Sequence, residues 1–167
     1  DGIRACRRAG VKVGLRYTMT ARNLSDLPAV FDILEAEDIP RICFYHLVAS
    51  GRGGCLGDDV LDAKTTRRTV DGIIARTAEV YARGRRTEVL TVDNHADGPY
   101  LYLRMRREGN PRAAAVRELL RLNGGNSSGH GIGCIGWDGR VHPDPFWRGR
   151  VVGNIRERPF SAIWGYP

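Results

Sequence analysis

The spacing of apolar residues alternates between a period of two and a helical period along the first half of the sequence. Residues 11–20 alternate apolar with small or polar side chains, which predicts a β-strand. Asn23 is placed to cap a following helix and Pro40 to stop it. The helix is predicted by apolar residues at i, i+3, i+4 and i+7, which are Leu27, Val30, Phe31 and Leu34. Residues 41–48 then form a nearly continuous apolar run, typical of a strand covered on both faces in a parallel sheet.

The same alternation continues beyond the second strand. A helix is predicted over Ala63–Arg83, with Gly84 past its end and a short strand over Glu88–Val92. Its expected inner face consists of Val70, Ile73, Ile74, Thr77 and Tyr81. A third helix is expected to start at Asn110–Pro111 and to end at Gly124–Gly125. Its expected inward residues are Val116, Leu119 and Leu120.

The order strand, helix, strand, helix, strand, helix predicts a parallel α/β fold. With right-handed crossovers, this is a segment of a barrel or of a doubly wound sheet, since three strands are too few to close a barrel. After Gly125 the character changes, because residues 124–139 contain seven glycines. A hairpin with a two-residue turn at Asp138–Gly139 is predicted there as a separate small β element.

Composition excludes some classes and leaves others open. The 167 residues suffice for about one soluble, globular domain, and no apolar run approaches the roughly 20 residues that span a bilayer. The net charge of +7 is carried mainly by arginine, which suits a solvated basic surface, a nucleic-acid partner or an anionic small substrate equally. The four cysteines show no CxxC spacing, so we expect no disulfide framework and a reducing cytoplasm. Because the sequence opens at Asp1 without methionine, we expect it to be part of something longer.

Polar residues near the ends of the strands are the candidates for chemistry. Arg16, Thr18 and Thr20 either point into a barrel towards a ligand or lie at an open edge in contact with water. His46 lies late in the second strand, where a hydrogen-bonded core histidine is the more usual role. Arg52 lies between glycines, in what is either a ligand-binding turn or a plain flexible loop.

Two further clusters leave metal binding open. Asp93–Gly98 contains two carboxylates together with the amide of Asn94 and the imidazole of His95. Turn chemistry explains its Asp and Asn residues as well as metal ligation does. The other cluster lies in the glycine-rich region, and its spacing matches no standard zinc site: His130, Cys134, His142 and Asp144.

Several segments, taken in order, resemble one family. They are Val13–Thr20, Phe44–Val48, Ser50–Gly53, Thr91–Gly98, Gly124–Gly129, Val141–Asp144 and Gly153–Phe160. Together they are similar to radical SAM enzymes with a SPASM-type C-terminal domain, and most similar to those of haem d1 and alternative haem biosynthesis. The resemblance implies that residues 1–125 are the C-terminal portion of a partial (β/α)6 barrel. It implies that residues 126–167 begin the auxiliary-cluster domain.

The resemblance also implies cofactors and chemistry. S-adenosylmethionine (SAM) and a 4Fe–4S cluster are expected, with the CxxxCxxC cluster ligands upstream of Asp1 and further cluster cysteines downstream of Trp164. Cys134 is then a packing residue, and no metal ligand is expected in this chain. The expected reaction acts on propionate side chains of an iron-tetrapyrrole, with an electron donor such as ferredoxin or flavodoxin. Neither nucleic acid nor a membrane is an expected partner.

The resemblance implies the following site. Arg16 pairs with the SAM carboxylate, Thr18 meets polar SAM atoms and Leu47 packs on adenine. The substrate-binding residues are His46, Arg52, Asn94 and His95. Two alternatives remain open: a peptide-modifying radical SAM/SPASM maturase, and a non-catalytic basic module that binds nucleic acid.

Overall fold

A computed structural model describes residues 1–165, with the exception of the Arg52 side chain. The residues fall into two compact units, Asp1–Asp97 and the residues from Gly98 onward. Each unit has a sheet of its own, parallel in the first and antiparallel in the second.

The first unit is a three-stranded parallel sheet with the strands in sequence order. Its elements are α1 (Gly2–Arg8), β1 (Leu15–Met19), α2 (Leu27–Ala36), β2 (Arg41–His46), α3 (Ala63–Ala82) and β3 (Glu88–Val92). Short 3-10 segments at Leu24–Asp26 and Gly51–Asp59 follow β1 and β2. The parallel pairing agrees with the alternation of strands and helices in the sequence. The pattern gave no sign of α1.

One face of this sheet carries the core. The fully buried cluster comprises Met19, Phe31, Leu34, Ile39, Ile42, Phe44, Ile73 and Val80. At its centre the Phe31 and Phe44 rings stack with centroids 5.4 Å apart, and Tyr17 meets Phe44 edge-on at 6.1 Å. The opposite face of β2 is only half-buried at Cys43 and Tyr45. Residues 1–165 therefore cover one face of β2 fully and the other in part, where the apolar run predicted cover on both faces.

Two details of the helices differ from expectation. Asn23 does not cap α2, which starts after Asp26. Its side chain instead accepts a hydrogen bond from the Thr20 N–H and donates one to the Thr18 carbonyl, 2.9 Å each. In α3, Val80 is buried while the expected inner residue Tyr81 is 43% exposed. The polar Thr77 fits the helix because its hydroxyl donates to the Ile73 carbonyl at 2.7 Å.

The second unit is built from short elements. They are α4 (Asp97–Arg107, starting at the boundary), α5 (Ala113–Asn123), β4 (Cys134–Ile135), β5 (Arg140–His142), β6 (Gly153–Asn154) and α6 (Phe160–Trp164). The sheet order is β4-β5-β6, all antiparallel. Gly124 ends α5 in the left-handed conformation with φ 71°, as predicted, but Leu119 is exposed rather than inward. The pattern missed α4, β6 and α6.

The β4–β5 hairpin exists, but its turn differs from the prediction. Ile135 pairs with Val141, the Gly136 N–H donates to the Arg140 carbonyl, and the Gly139 N–H donates to the Gly136 carbonyl. The central turn residues are therefore Trp137 and Asp138, and Gly139 follows with φ 84°. This is a three-residue connection of the kind that ends in a left-handed glycine, not a two-residue Asp-Gly turn.

Candidate functional site

The candidate site lies at the carboxyl ends of β1, β2 and β3, where ligands commonly bind in parallel α/β sheets. The register places Met19 beside His46, and Tyr45 beside Val92. The segments that follow the three strands therefore leave the sheet at the same edge. Most of the residues predicted to bind a ligand lie near the carboxyl ends of these strands or just beyond them.

Arg16 and Thr18 lie on the face of β1 opposite the core, and both are exposed. Arg16 places its guanidinium carbon 5.4 Å from the centre of the Tyr45 ring, and Thr18 is the register partner of Tyr45. Among the described residues, no carboxylate pairs with Arg16. An arginine held beside an aromatic ring, with its hydrogen-bond donors unused by other side chains, is suited to receive a carboxylate in two parallel hydrogen bonds.

His46 belongs to a buried polar network at the end of β2. Its Nε2 lies 2.8 Å from Oδ2 of Asp97, and only 12% and 9% of the two side chains are exposed. The second carboxylate oxygen, Oδ1, accepts a hydrogen bond from the Asn94 Nδ2 at 2.8 Å. Asp97 therefore orients the imidazole from a position 51 residues away in sequence. His46 is the hydrogen-bonded histidine that its strand position suggested, and Asp97 is the residue missing from the predicted site.

The turn after β3 explains the polar residues of Asp93–Gly98. Asp93 adopts the left-handed conformation with φ 68°, which Asp tolerates better than most residues. The Asn94 Oδ1 accepts a hydrogen bond from the Ala96 N–H at 3.1 Å. Asn94 thus uses both polar groups inside the turn, in support of the turn interpretation. His95 lies in the same turn but is exposed, and the structure does not bring it to His46.

The segment after β2 forms hydrogen bonds within its own backbone. Ser50 N–H donates to the Val48 carbonyl at 2.8 Å and Gly53 N–H donates to the Ser50 carbonyl at 3.0 Å. A Cβ at Gly53 would lie 2.3 Å from the Val48 oxygen and 3.8 Å from Leu47 Cδ1, so only glycine fits. Leu47 is therefore half-buried beside this turn. The predicted role of Arg52 concerns a side chain outside the described part of the structure.

A second buried carboxylate, Asp59, also went unnoticed in the sequence. Its Oδ1 lies 2.7 Å from the Arg22 Nε, and its carbonyl accepts the Ala21 N–H at 2.9 Å. The end of the 3-10 segment after β2 is thereby joined to the loop after β1. The surrounding segment is rich in glycine and aspartate, and no local pattern in it marks Asp59 as buried.

The glycine-rich region holds its polar residues by backbone contacts. His142 is buried, with Nδ1 2.9 Å from the Arg150 carbonyl oxygen. One oxygen of Asp144 accepts hydrogen bonds from the N–H groups of Phe146 and Trp147, both at 2.7 Å. The pKa of Asp144 is held below its usual value, mainly by a hydrogen bond from the Ser128 hydroxyl and next by the one from the Trp147 N–H. Within residues 1–165 no three His, Cys, Asp or Glu side chains are grouped to hold a metal ion.

Among the described helices, none is long and apolar enough to cross a membrane. Fold and edge residues together define a parallel α/β unit with a polar site at the carboxyl ends of its strands.

Comparison with known proteins shows that the chain is similar to two synthases. The chain is 55% identical over 98% of its length to the Fe-coproporphyrin III synthase of Methanosarcina barkeri, and covers 41% of that protein. It is 39% identical over 99% of its length to the pre-heme d1 synthase of Dinoroseobacter shibae, and covers 42% of that protein. No family model and no solved structure matches the chain. The chain is therefore similar to these two synthases over nearly its whole length and spans about two fifths of theirs.

Proposed function

We propose that the protein containing this chain is a radical SAM enzyme that acts on propionate side chains of an iron-tetrapyrrole, in haem d1 or alternative haem biosynthesis. The observation that carries the proposal is sequence similarity, over almost the whole chain, to two synthases named for Fe-coproporphyrin III and pre-heme d1. In this proposal β1–β3 are the C-terminal strands of a partial (β/α)6 barrel, and the β4–β6 region begins the SPASM-type auxiliary domain.

The residues at the sheet edge fit SAM. The Arg16 guanidinium is exposed, held beside the Tyr45 ring and unpaired with any carboxylate of the described chain, as a site for the SAM carboxylate requires. Thr18 is exposed on the same face and supplies a hydroxyl for polar SAM atoms. Leu47, half-buried beside Gly53, supplies an apolar wall for adenine.

When bound, SAM and its 4Fe–4S cluster supply hydrogen-atom abstraction, while the protein orients the reactants. In this proposal the residues of this chain bind SAM and the substrate. His46, oriented by Asp97, is a hydrogen-bonding group and, when protonated, a cation for a propionate. Asn94 holds Asp97 rather than reaching outward, and His95 is exposed for direct contact. Arg52 remains a proposed substrate ligand.

The relatives favour the tetrapyrrole proposal over the two alternatives, a peptide-modifying maturase and a nucleic-acid-binding module. Neither relative carries a name that refers to a peptide or nucleic acid. The reaction class requires an electron donor, for which an acidic ferredoxin or flavodoxin is our proposal, and we place the enzyme in the cytoplasm.

The substrate class is tested by measuring 5′-deoxyadenosine release from the reconstituted full-length protein. A didecarboxylated sirohaem, iron-coproporphyrin and a Cys-rich peptide are offered separately. We expect release to be stimulated by an iron-tetrapyrrole and not by the peptide, because the two relatives' named products are iron-tetrapyrrole compounds. Turnover with the peptide alone would contradict the proposal and favour the maturase.

Replacement of Arg16 by lysine is expected to weaken SAM binding about tenfold, since lysine keeps the charge but loses the two-pronged geometry. The free energy of unfolding should change by less than about 0.5 kcal/mol, because Arg16 is exposed. SAM affinity of the full-length protein is measured by calorimetry. Arg41→Lys is the matched control, because Arg41 starts β2 at the opposite end of the sheet and pairs with Glu88. Lost stability with normal SAM affinity would show that Arg16 is structural.

A further inference from the structure

The tip of the β4–β5 hairpin presents a tryptophan to solvent. Trp137 is 89% exposed, although tryptophan is among the side chains that gain most from burial. The neighbouring Gly136 and Gly139 are buried, so the turn itself is anchored while the indole projects from it. An exposed tryptophan on an anchored turn is typical of a contact residue.

The backbone of the turn is held by the left-handed Gly139 and by a hydrogen bond to the segment after β6. A Cβ at Gly136 would lie 2.7 Å from the Asp138 Oδ1, and one at Gly139 would lie 2.6 Å from the Asn154 Oδ1. Gly139 also has φ 84°, which disfavours any side chain. The Ile155 N–H donates to the Gly139 carbonyl at 2.9 Å and fixes the turn to the segment after β6. The position of Trp137 is therefore set by the backbone.

Two arginines lie at the same turn as Trp137. The Arg156 side chain packs across Gly139, and its Nη2 donates to the Trp137 carbonyl at 3.3 Å. Arg140 is exposed, and its Nε lies 3.1 Å from the Asp138 Oδ2. The residues from Gly98 onward carry eleven arginines against five acidic residues, so they hold +6 of the chain's net charge of +7. The tip thus combines a flat apolar surface with cations in a basic unit.

We propose that Trp137, Arg156 and Arg140 form a binding edge for the carboxylate-bearing iron-tetrapyrrole, with the indole against the macrocycle and the guanidiniums on its peripheral carboxylates. The inference rests on the proposed function, because the ligand class comes from it. A planar polycarboxylate matches both properties of the tip: aromatic faces stack on one another, and arginine pairs with carboxylates in two parallel hydrogen bonds.

The test measures the affinity of the full-length protein for iron-coproporphyrin, from the Soret absorbance change on titration. Trp137→Ala is expected to weaken binding about tenfold, and Trp137→Phe about threefold, because phenylalanine keeps a smaller stacking surface. Arg156→Gln should weaken binding about fivefold through loss of one charge-assisted contact. Leu122→Ala is the matched control, since Leu122 is 84% exposed in the same unit and outside the tip.

Each outcome separates this inference from the proposed function. If the wild-type protein binds neither iron-coproporphyrin nor, in the same titration, a didecarboxylated sirohaem, the proposed function fails and the inference with it. If the wild type binds while all three tip variants keep its affinity, only the inference is overturned. Normal tetrapyrrole affinity with slower reduction by an acidic flavodoxin in Trp137→Ala would also overturn it, and would assign the tip to a protein partner. Circular dichroism of the variants excludes misfolding.

Discussion

Phe44→Ala is expected to lower the free energy of opening of the parallel sheet by about 3–5 kcal/mol. Phe44 is fully buried in the centre of β2, where its ring contacts both Phe31 and Tyr17. Alanine at this position removes the ring and leaves a cavity that the surrounding sheet and helices fill only in part. The measurement is amide hydrogen exchange of β1–β3 in the full-length protein, because exchange reports opening of one region.

Tyr81→Ala is the control for this substitution, since it also removes an aromatic ring. Tyr81 is exposed on α3 and contacts the guanidinium of Arg86, so we expect a loss of at most about 1 kcal/mol. Equal losses for the two variants would contradict the placement of Val80, rather than Tyr81, on the inner face of α3.

Asp97→Ala is expected to cost about 2–4 kcal/mol of sheet stability and to weaken tetrapyrrole binding. The two oxygens of Asp97 accept hydrogen bonds from different partners, His46 and Asn94, and the carboxylate is buried. Alanine leaves both partners without their acceptor, at a cost of roughly 1–3 kcal/mol for each buried group. The imidazole of His46 also loses its fixed orientation. Hydrogen exchange near His46 and titration with iron-coproporphyrin measure the two effects.

Asp93→Asn provides the control, because asparagine tolerates the left-handed conformation that Asp93 adopts and the side chain is exposed. It should leave both measurements unchanged. Unaltered exchange near His46 in Asp97→Ala would show that the His46–Asp97 contact does not hold the end of β2.

The sequence was sufficient to predict the parallel sheet because each strand and helix of its core carries a clear hydrophobic period. It failed for α4, whose first turn contains Gly98 and Pro99, two residues that weaken a helical pattern. A strand of two residues, such as β6, is too short to show any period. The hairpin turn was misplaced because Asp138–Gly139 has the local signature of a two-residue turn. The pairing of Ile135 with Val141 moved the turn by one residue.

Of the polar site, too, only the residues marked by a local pattern could be found from the sequence. Arg16 and Thr18 were predicted from their alternation with the core residues of β1, which is local information. The partner of His46 was not, because Asp97 follows a different strand and only the parallel register of β2 and β3 brings the two together. Asp59 was missed for the same reason, since its arginine belongs to the loop after another strand.

The open sides of the parallel sheet have a consequence for self-association. Within the described residues, β1 and β3 each pair with a neighbour on one side only, so the other row of N–H and C=O groups of each has no strand partner among these residues. Charged side chains, which protect such borders, are sparse there: β1 carries Arg16 and β3 carries Glu88. If these borders become accessible, through truncation or partial unfolding, a second copy can extend the sheet. Aggregation of the protein would then start at Leu15–Met19 and Glu88–Val92, and shielding of these two strands would govern its solubility.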